Sequence, residues 1–161
     1  MEFDNQVVEE IESIYDIHID EDLVKRRLRS KKEKEIIKNL EKVVNKSLVD
    51  IFELGIKTHN SIILNQKDLQ RRVGKTITLR YLALVHDLPI ITRNSSFASK
   101  TRNNPPYSDT NLRVYSQYKS TLPNPLDEIE DDIILIDECS LDVLSENMVY
   151  FEDKTFIGFL E

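Results

Sequence analysis

The run Ile133-Ile134-Leu135-Ile136 constrains this chain more than any other feature, because consecutive apolar residues without polar alternation describe a strand covered on both faces. Such a strand sits in the middle of a sheet, and the chain after Gly55 supplies neighbours for it. Short apolar runs there alternate with helical spacing. Strands are predicted at 61–64, 88–92, within 112–116, at 133–136 and at 155–160, and helices over 76–86 and 141–144. This alternation predicts an α/β fold of three layers, a mostly parallel sheet between helices. The stretch from Arg93 to Ser108, polar and interrupted by Asn103-Asn104-Pro105-Pro106, reads as loop for at least part of its length.

The N-terminal part is helical in pattern. Val7, Val8, Ile11, Ile14 and Tyr15 recur at helical spacing, and Leu23 and Leu28 begin a second short helix. Ile36, Ile37, Leu40, Val43, Val44, Leu48, Ile51 and Phe52 then predict a long amphipathic helix ending near Gly55. The expected division is a helical extension over 1–55 and one compact domain over 56–161, since 161 residues suffice for one well-buried core.

Charge is segregated along the chain. The net value of −7 averages an acidic stretch over 1–24, without Lys or Arg, a basic stretch over 25–46, and a tail from Leu126 in which Lys154 is the only basic residue. The basic stretch holds Lys25, Arg26, Arg27, Arg29, Lys31, Lys32, Lys34, Lys38, Lys42 and Lys46 against Glu33, Glu35 and Glu41. A basic helical stripe can follow a nucleic-acid backbone by displacing its counterions; a solvated helix face packed near the acidic segments has the same composition. No apolar run approaches the roughly 18 residues of a membrane span, and the acidic N-terminus lacks a signal peptide's basic region. A cytoplasmic protein with no membrane contact is expected, and the single Cys139 excludes an intrachain disulfide.

The chemistry concentrates in two motifs. Gln70-Arg71-Arg72-Val73-Gly74-Lys75-Thr76 connects the first strand to the following helix. In such a turn Gly74 admits close backbone approach to a phosphate, Lys75 supplies a cation, the Thr76 hydroxyl can ligate Mg²⁺, and the helix start through Ile77 offers backbone N–H groups. Leu69 stands where such loops usually carry their first glycine. The second motif is Asp137-Glu138 at the end of the central strand. Asp137 is suited to hold Mg²⁺ opposite Thr76, and Glu138 to position and polarise an attacking water.

With both motifs the chain resembles the P-loop NTPases of the branch with an added catalytic glutamate. Its glycine-poor loop looks most similar to the ATPase domain of viral large terminases, the DNA-packaging motors, and to a lesser degree to helicase-like ATPases. The resemblance covers roughly residues 60–140. It implies a P-loop core, ATP and Mg²⁺ as ligands, and Arg71 against the terminal phosphate, a role Arg72 could equally take. It also implies action on nucleic acid, a homo-oligomer or protein partner, and, for a viral protein, the host cytoplasm. The nuclease domain that follows the ATPase in terminases has no counterpart within these 161 residues. In helicase-like relatives the segment from Arg93 to Arg102 corresponds to a strand-contacting loop, for which a polar surface loop is the alternative. Arg80, Arg93, Arg102 and Arg113 are candidates for an arginine supplied to a neighbouring subunit.

The reading that follows is an Mg²⁺-dependent, ATP-binding and ATP-hydrolysing protein acting on nucleic acid. The alternative is a nucleotide-responsive or degenerate P-loop interaction module without turnover. His18, His59 and His86 lack ligand spacing, Cys139 lacks a histidine close in sequence, and the acidic cluster 127–132 reads as a solvated approach to the buried strand.

Overall fold

The computed structural model describes residues 21–69, 73–93, 95–118, 125–148 and 151–161, with the backbone alone at 21–29 and 125. The periodic segment Val7 to Tyr15 and both loop arginines, Arg71 and Arg72, lie outside the described residues.

The long helix expected from Ile36 to near Gly55 is divided: its first part joins the short helix expected at Leu23 and Leu28 in α1, Glu21–Glu41, and the rest forms α2, Lys46–Thr58. Asn45 separates them: its backbone is extended, and its side-chain oxygen accepts from the Leu48 N–H at 3.2 Å, capping α2. Apolar spacing continues through the break because both helices turn apolar residues toward the same core. Gly55 lies inside α2 instead of ending it. A β-carbon there would fall 3.0 Å from the Asn60 carbonyl oxygen and from Ile62 Cδ1, so this glycine permits close approach of helix to strand. The helix stops at His59, which adopts the left-handed conformation.

The sheet is formed by β1 (Ile62–Asn65), β2 (Ile90–Thr92), β3 (Val114–Ser116), β4 (Ile133–Cys139) and β5 (Thr155–Leu160). Their order is β1-β5-β4-β2-β3, and every pairing is parallel. The connecting helices are α3 (Lys75–His86), α4 (Ser95–Asn103) and α5 (Leu141–Asn147). Helix α4 occupies much of the stretch whose composition reads as loop. Serines and charged residues mask it, since they favour helices only weakly, but Ala98 and Thr101 turn inward and anchor it.

Strand β4 is central and its apolar run is buried, as the lack of alternation requires. On one face Leu135, Ile157, Phe159 and Val114 pack against Leu48, Phe52 and Ile56 of α2 and Leu79 and Leu82 of α3. The Phe52 and Phe159 rings meet edge to face at 5.3 Å, so α2 shares one core with the sheet. On the other face Ile91, Ile134, Ile136 and Phe156 pack against Leu126, Ile129, Leu144 and Met148. No helix among the described residues is long and apolar enough to cross a membrane.

At the N-terminal ends of the strands Arg113 forms a fork with Asp131, at 2.7 and 3.0 Å, and donates to the Asp87 carbonyl at 2.5 Å. The guanidinium hydrogen bond holds the Asp131 carboxyl below its ordinary value. A lowered folded-state value gives stability that is present above the unfolded pKa and lost as pH falls through the folded one. Arg113→Ala is expected to cost about 1–2 kcal/mol at pH 7, a bidentate pair discounted for its partial exposure, with the difference shrinking once acid protonates Asp131. Denaturant unfolding at neutral pH and in strong acid measures it; an equal loss in both would show that packing, not the ion pair, carries the effect.

Candidate functional site

Strand topology makes a crevice at the carboxyl ends of two adjacent strands. From β2 the chain crosses through α4, whose Ala98 packs on one face of the sheet. From β4 it crosses through α5, whose Leu144 packs on the other. Neighbouring strands that send their chains to opposite faces define a switch point, where α/β sheets open a ligand-sized cleft. A cavity of about 510 Å³ lies there, lined by Thr76, Thr92, Arg93, Phe97, Asp137 and Glu138.

The loop from β1 approaches this crevice through a short 3-10 turn at Gln66–Asp68 and enters α3 at Gly74. Gly74 has φ 76°, a left-handed conformation that a glycine adopts without steric penalty. The first intrahelical bond of α3 runs from Thr78 N to Gly74 O, so the amides of Lys75, Thr76 and Ile77 have no partner within the helix. Leu69 is extended, with φ −107° and ψ 140°, and packs against the core. An ordinary L-residue conformation there explains why no glycine is needed at that position.

Asn45, which carries no functional signal in the sequence, fastens this loop. Its side-chain amide donates to the Val73 carbonyl at 3.1 Å, and its backbone N–H donates to Thr78 Oγ1 at 3.4 Å. An asparagine before the apolar run that begins at Leu48 signals a helix cap. Its second task had no local signal, because Val73 is 28 residues away.

Asp137 and Glu138 reach the cavity by a distortion of β4. Ile136 pairs with Gly158 and Cys139 with Leu160, so three steps on β4 match two on β5, a bulge. Glu138 takes φ 59° within it. Successive residues of a regular strand point to opposite faces, but here both carboxylates line one cavity. Gly158 makes room for this arrangement: at φ 145°, a β-carbon on it would lie 2.0 Å from the Ile136 carbonyl oxygen.

Asp137 is 6% exposed, and burial pushes its carboxyl up to about 6, with the neighbouring Glu138 charge adding to the rise. A hydrogen bond with the Thr76 side chain and the charges of Arg80 and Lys75 act in the opposite direction. Its Oδ1 is buried without a hydrogen-bond partner. An unpartnered carboxylate oxygen beside a hydroxyl fits a hydrated Mg²⁺, which keeps several waters and needs only one or two carboxylates. No cluster of three or more His, Cys, Asp or Glu side chains suited to a metal occurs among the described residues, which is the pattern of a cage for a dehydrated ion.

The remaining candidates among the described residues lie outside the cavity wall. Lys75 is partly buried with Nζ 5.9 Å from the centre of the Phe159 ring, near Asp137 but outside the cavity wall. Arg80 stacks on Phe97 and Tyr107, at 5.3 and 4.8 Å, and donates to Thr101 Oγ1 at 3.2 Å. Cys139 donates to the Ile91 carbonyl at 3.1 Å, and burial pushes its thiol up to about 12, which removes it as a nucleophile. His86 bonds Glu53 at 2.6 Å between α2 and α3. Gln117, also missed in the sequence, is fully buried and accepts from the Ser140 N–H at 2.9 Å, tying the end of β3 to the turn after Glu138. No protein-family model, curated protein or solved structure matches this chain.

Proposed function

We propose that this chain is an Mg²⁺-dependent P-loop ATPase, a protein that binds and hydrolyses ATP. The observation that carries the reading is the bulge of β4, which turns Asp137 and Glu138 into one cavity beside Thr76 at the switch point. The amides of Lys75, Thr76 and Ile77, aided by Gly74 and the positive end of α3, bind phosphate oxygens. The ammonium of Lys75 reaches the terminal phosphates, leaving its place over Phe159. Thr76 and Asp137 hold Mg²⁺, which when bound neutralises charge developing on the phosphate oxygens. Glu138 accepts a hydrogen bond from the attacking water and takes its proton. Arg71, with Arg72 as its substitute, joins this list by resemblance alone.

Action on nucleic acid is the outer part of the proposal. The exposed side chains of Lys31, Lys34 and Lys38 on α1 support it, together with Lys42 and Lys46 at the turn into α2. Homo-oligomerisation belongs with it as the way in which motor-type ATPases share arginines. The module without turnover is the alternative reading, with Leu69 in place of the first loop glycine in its favour; the extended backbone there is one that an L-residue adopts without strain.

Calorimetric titration of Mg²⁺–ATP, with hydrolysis followed in the presence and absence of DNA, tests the reading. Lys75→Ala is expected to weaken ATP binding at least about 10-fold and to abolish turnover. Neutralising Lys31, Lys34, Lys38, Lys42 and Lys46 together is expected to remove the DNA response and leave the basal rate. Wild type that binds ATP but turns it over no faster than Glu138→Gln would establish the binding module. Absence of binding at millimolar ATP would end both readings.

A further inference from the structure

We infer that Arg93 is a second cation, beside Lys75, that recognises the terminal phosphate in the crevice, held by Glu161 until a triphosphate binds and then transferred to the nucleotide. This assignment rests on the nucleotide reading above and deepens it.

Among the described residues lining the cavity, Asp137 and Glu138 are acidic, and Arg93 is the one base. A triphosphate entering beside two carboxylates needs compensating cations next to its outermost group, where charge accumulates during hydrolysis. Lys75 lies outside this wall, on the side of β5. Arg93 therefore occupies the place where an anion meets the carboxylates.

Register then fixes where its partner stands. Thr92 pairs with Asp137, so Arg93, one residue further, leaves β2 level with Glu138. Leu160 pairs with Cys139, so Glu161 leaves β5 on the opposite side of β4. Arg93 Nη1 and Glu161 Oε1 form an ion pair. The strand order β5-β4-β2 means that this pair spans the end of the central strand, directly beyond the bulge that carries Glu138. A water held by Glu138 and a phosphate facing that water would both lie beside the bridge.

The pair is also weak enough to exchange. The Arg93 and Glu161 side chains are 56% and 43% exposed, and exposed ion pairs contribute little net stability. A phosphate offers the guanidinium a bidentate, charge-assisted partner that a single carboxylate contact does not match. A diphosphate ends one group short of this position, so Arg93 should distinguish ATP from ADP. Its departure releases the Glu161 side chain, while the Glu161 N–H still donates to the Cys139 carbonyl at 3.2 Å.

The test is calorimetric binding of Mg²⁺–ADP and of a non-hydrolysable β,γ-imido ATP analogue to wild type, Arg93→Gln, Arg93→Lys, Glu161→Gln and the Arg93→Gln/Glu161→Gln double variant. Arg93→Gln should weaken the triphosphate analogue by about 10–100-fold while changing ADP less than about 2-fold. Arg93→Lys should recover part of the loss. Glu161→Gln should tighten the triphosphate by about 2–5-fold, and only when Arg93 is present, so the double variant should match Arg93→Gln. Equal losses for both nucleotides, or a Glu161→Gln effect that persists without Arg93, would overturn the assignment while the nucleotide reading stands. If wild type binds neither nucleotide, that reading fails, and the role of Arg93 falls with it.

Discussion

A Glu138→Gly variant is expected to lose ATP hydrolysis by a factor of about 10²–10⁴ and yet to fold more stably than wild type by about 1 kcal/mol. The two effects arise from one geometric fact. Glu138 sits at φ 59°, where an L side chain crowds its own backbone and glycine does not. Strain of this kind persists only where the surroundings enforce it, and here the bulge opposite Gly158 does so. Loss of the carboxylate removes the group proposed to position water; loss of the side chain relieves the backbone. Glu138→Gln separates the terms, because it should lose hydrolysis alike but retain the strain. Denaturant unfolding and steady-state phosphate release on the three proteins decide the matter. Glu138→Gly that is less stable than Glu138→Gln would show that no strain is stored at this residue, and turnover at the wild-type rate in both variants would remove Glu138 from the proposed chemistry.

Much of this architecture is legible in the sequence, and what is not has identifiable causes. The apolar run Ile133 to Ile136 identifies a central strand because burial on both faces removes alternation, and β4 is central. Gly74 announces its turn because its left-handed backbone selects for glycine. Other features depend on contacts between distant residues. Helix α4 forms from a segment rich in serine because Ala98 and Thr101 find the core and Phe97 meets Arg80, none of which local propensity contains. The break before α2 is invisible to periodicity, since both helices share a core, although Asn45 is a recognisable cap. Adjacent Asp137 and Glu138 suggested a joint site, but in an unbroken strand they would point apart. Only the bulge brings them together, and its enabling residue, Gly158, lies on another strand. Gln117 shows the same limit: a buried amide at the end of β3 finds its partner, Ser140, beyond β4.

Metal-free wild type should be less stable at pH 7.5 than Asp137→Asn, by about 3 kcal/mol, and Mg²⁺ should stabilise wild type but not the variant. Burial raises the Asp137 carboxyl from 3.8 to about 6. A folded-state value above the unfolded one means that the protonated group favours folding: this contribution is complete below the unfolded pKa and is lost as pH rises through about 6. At pH 7.5 the folded protein therefore holds an ionised, nearly buried carboxylate, with Oδ1 lacking any hydrogen-bond partner. The neutral amide of the Asp137→Asn variant would avoid that charge at every pH, so its advantage should vanish below about pH 4. A divalent cation bound between Asp137 and Thr76 reverses the balance by supplying the missing partner, and the same substitution should then remove Mg²⁺-dependent hydrolysis. Thermal unfolding of both proteins at pH 4 and 7.5, with and without millimolar MgCl₂, measures each part. Equal stabilisation of wild type and variant by Mg²⁺ would place the ion elsewhere. A variant no more stable than wild type at pH 7.5 would mean that the carboxylate has another source of compensation. A gain in wild-type stability from Mg²⁺ at pH 7.5 but not at pH 4, where the carboxyl is protonated, distinguishes a carboxylate poised for a metal from one that merely ends a buried strand.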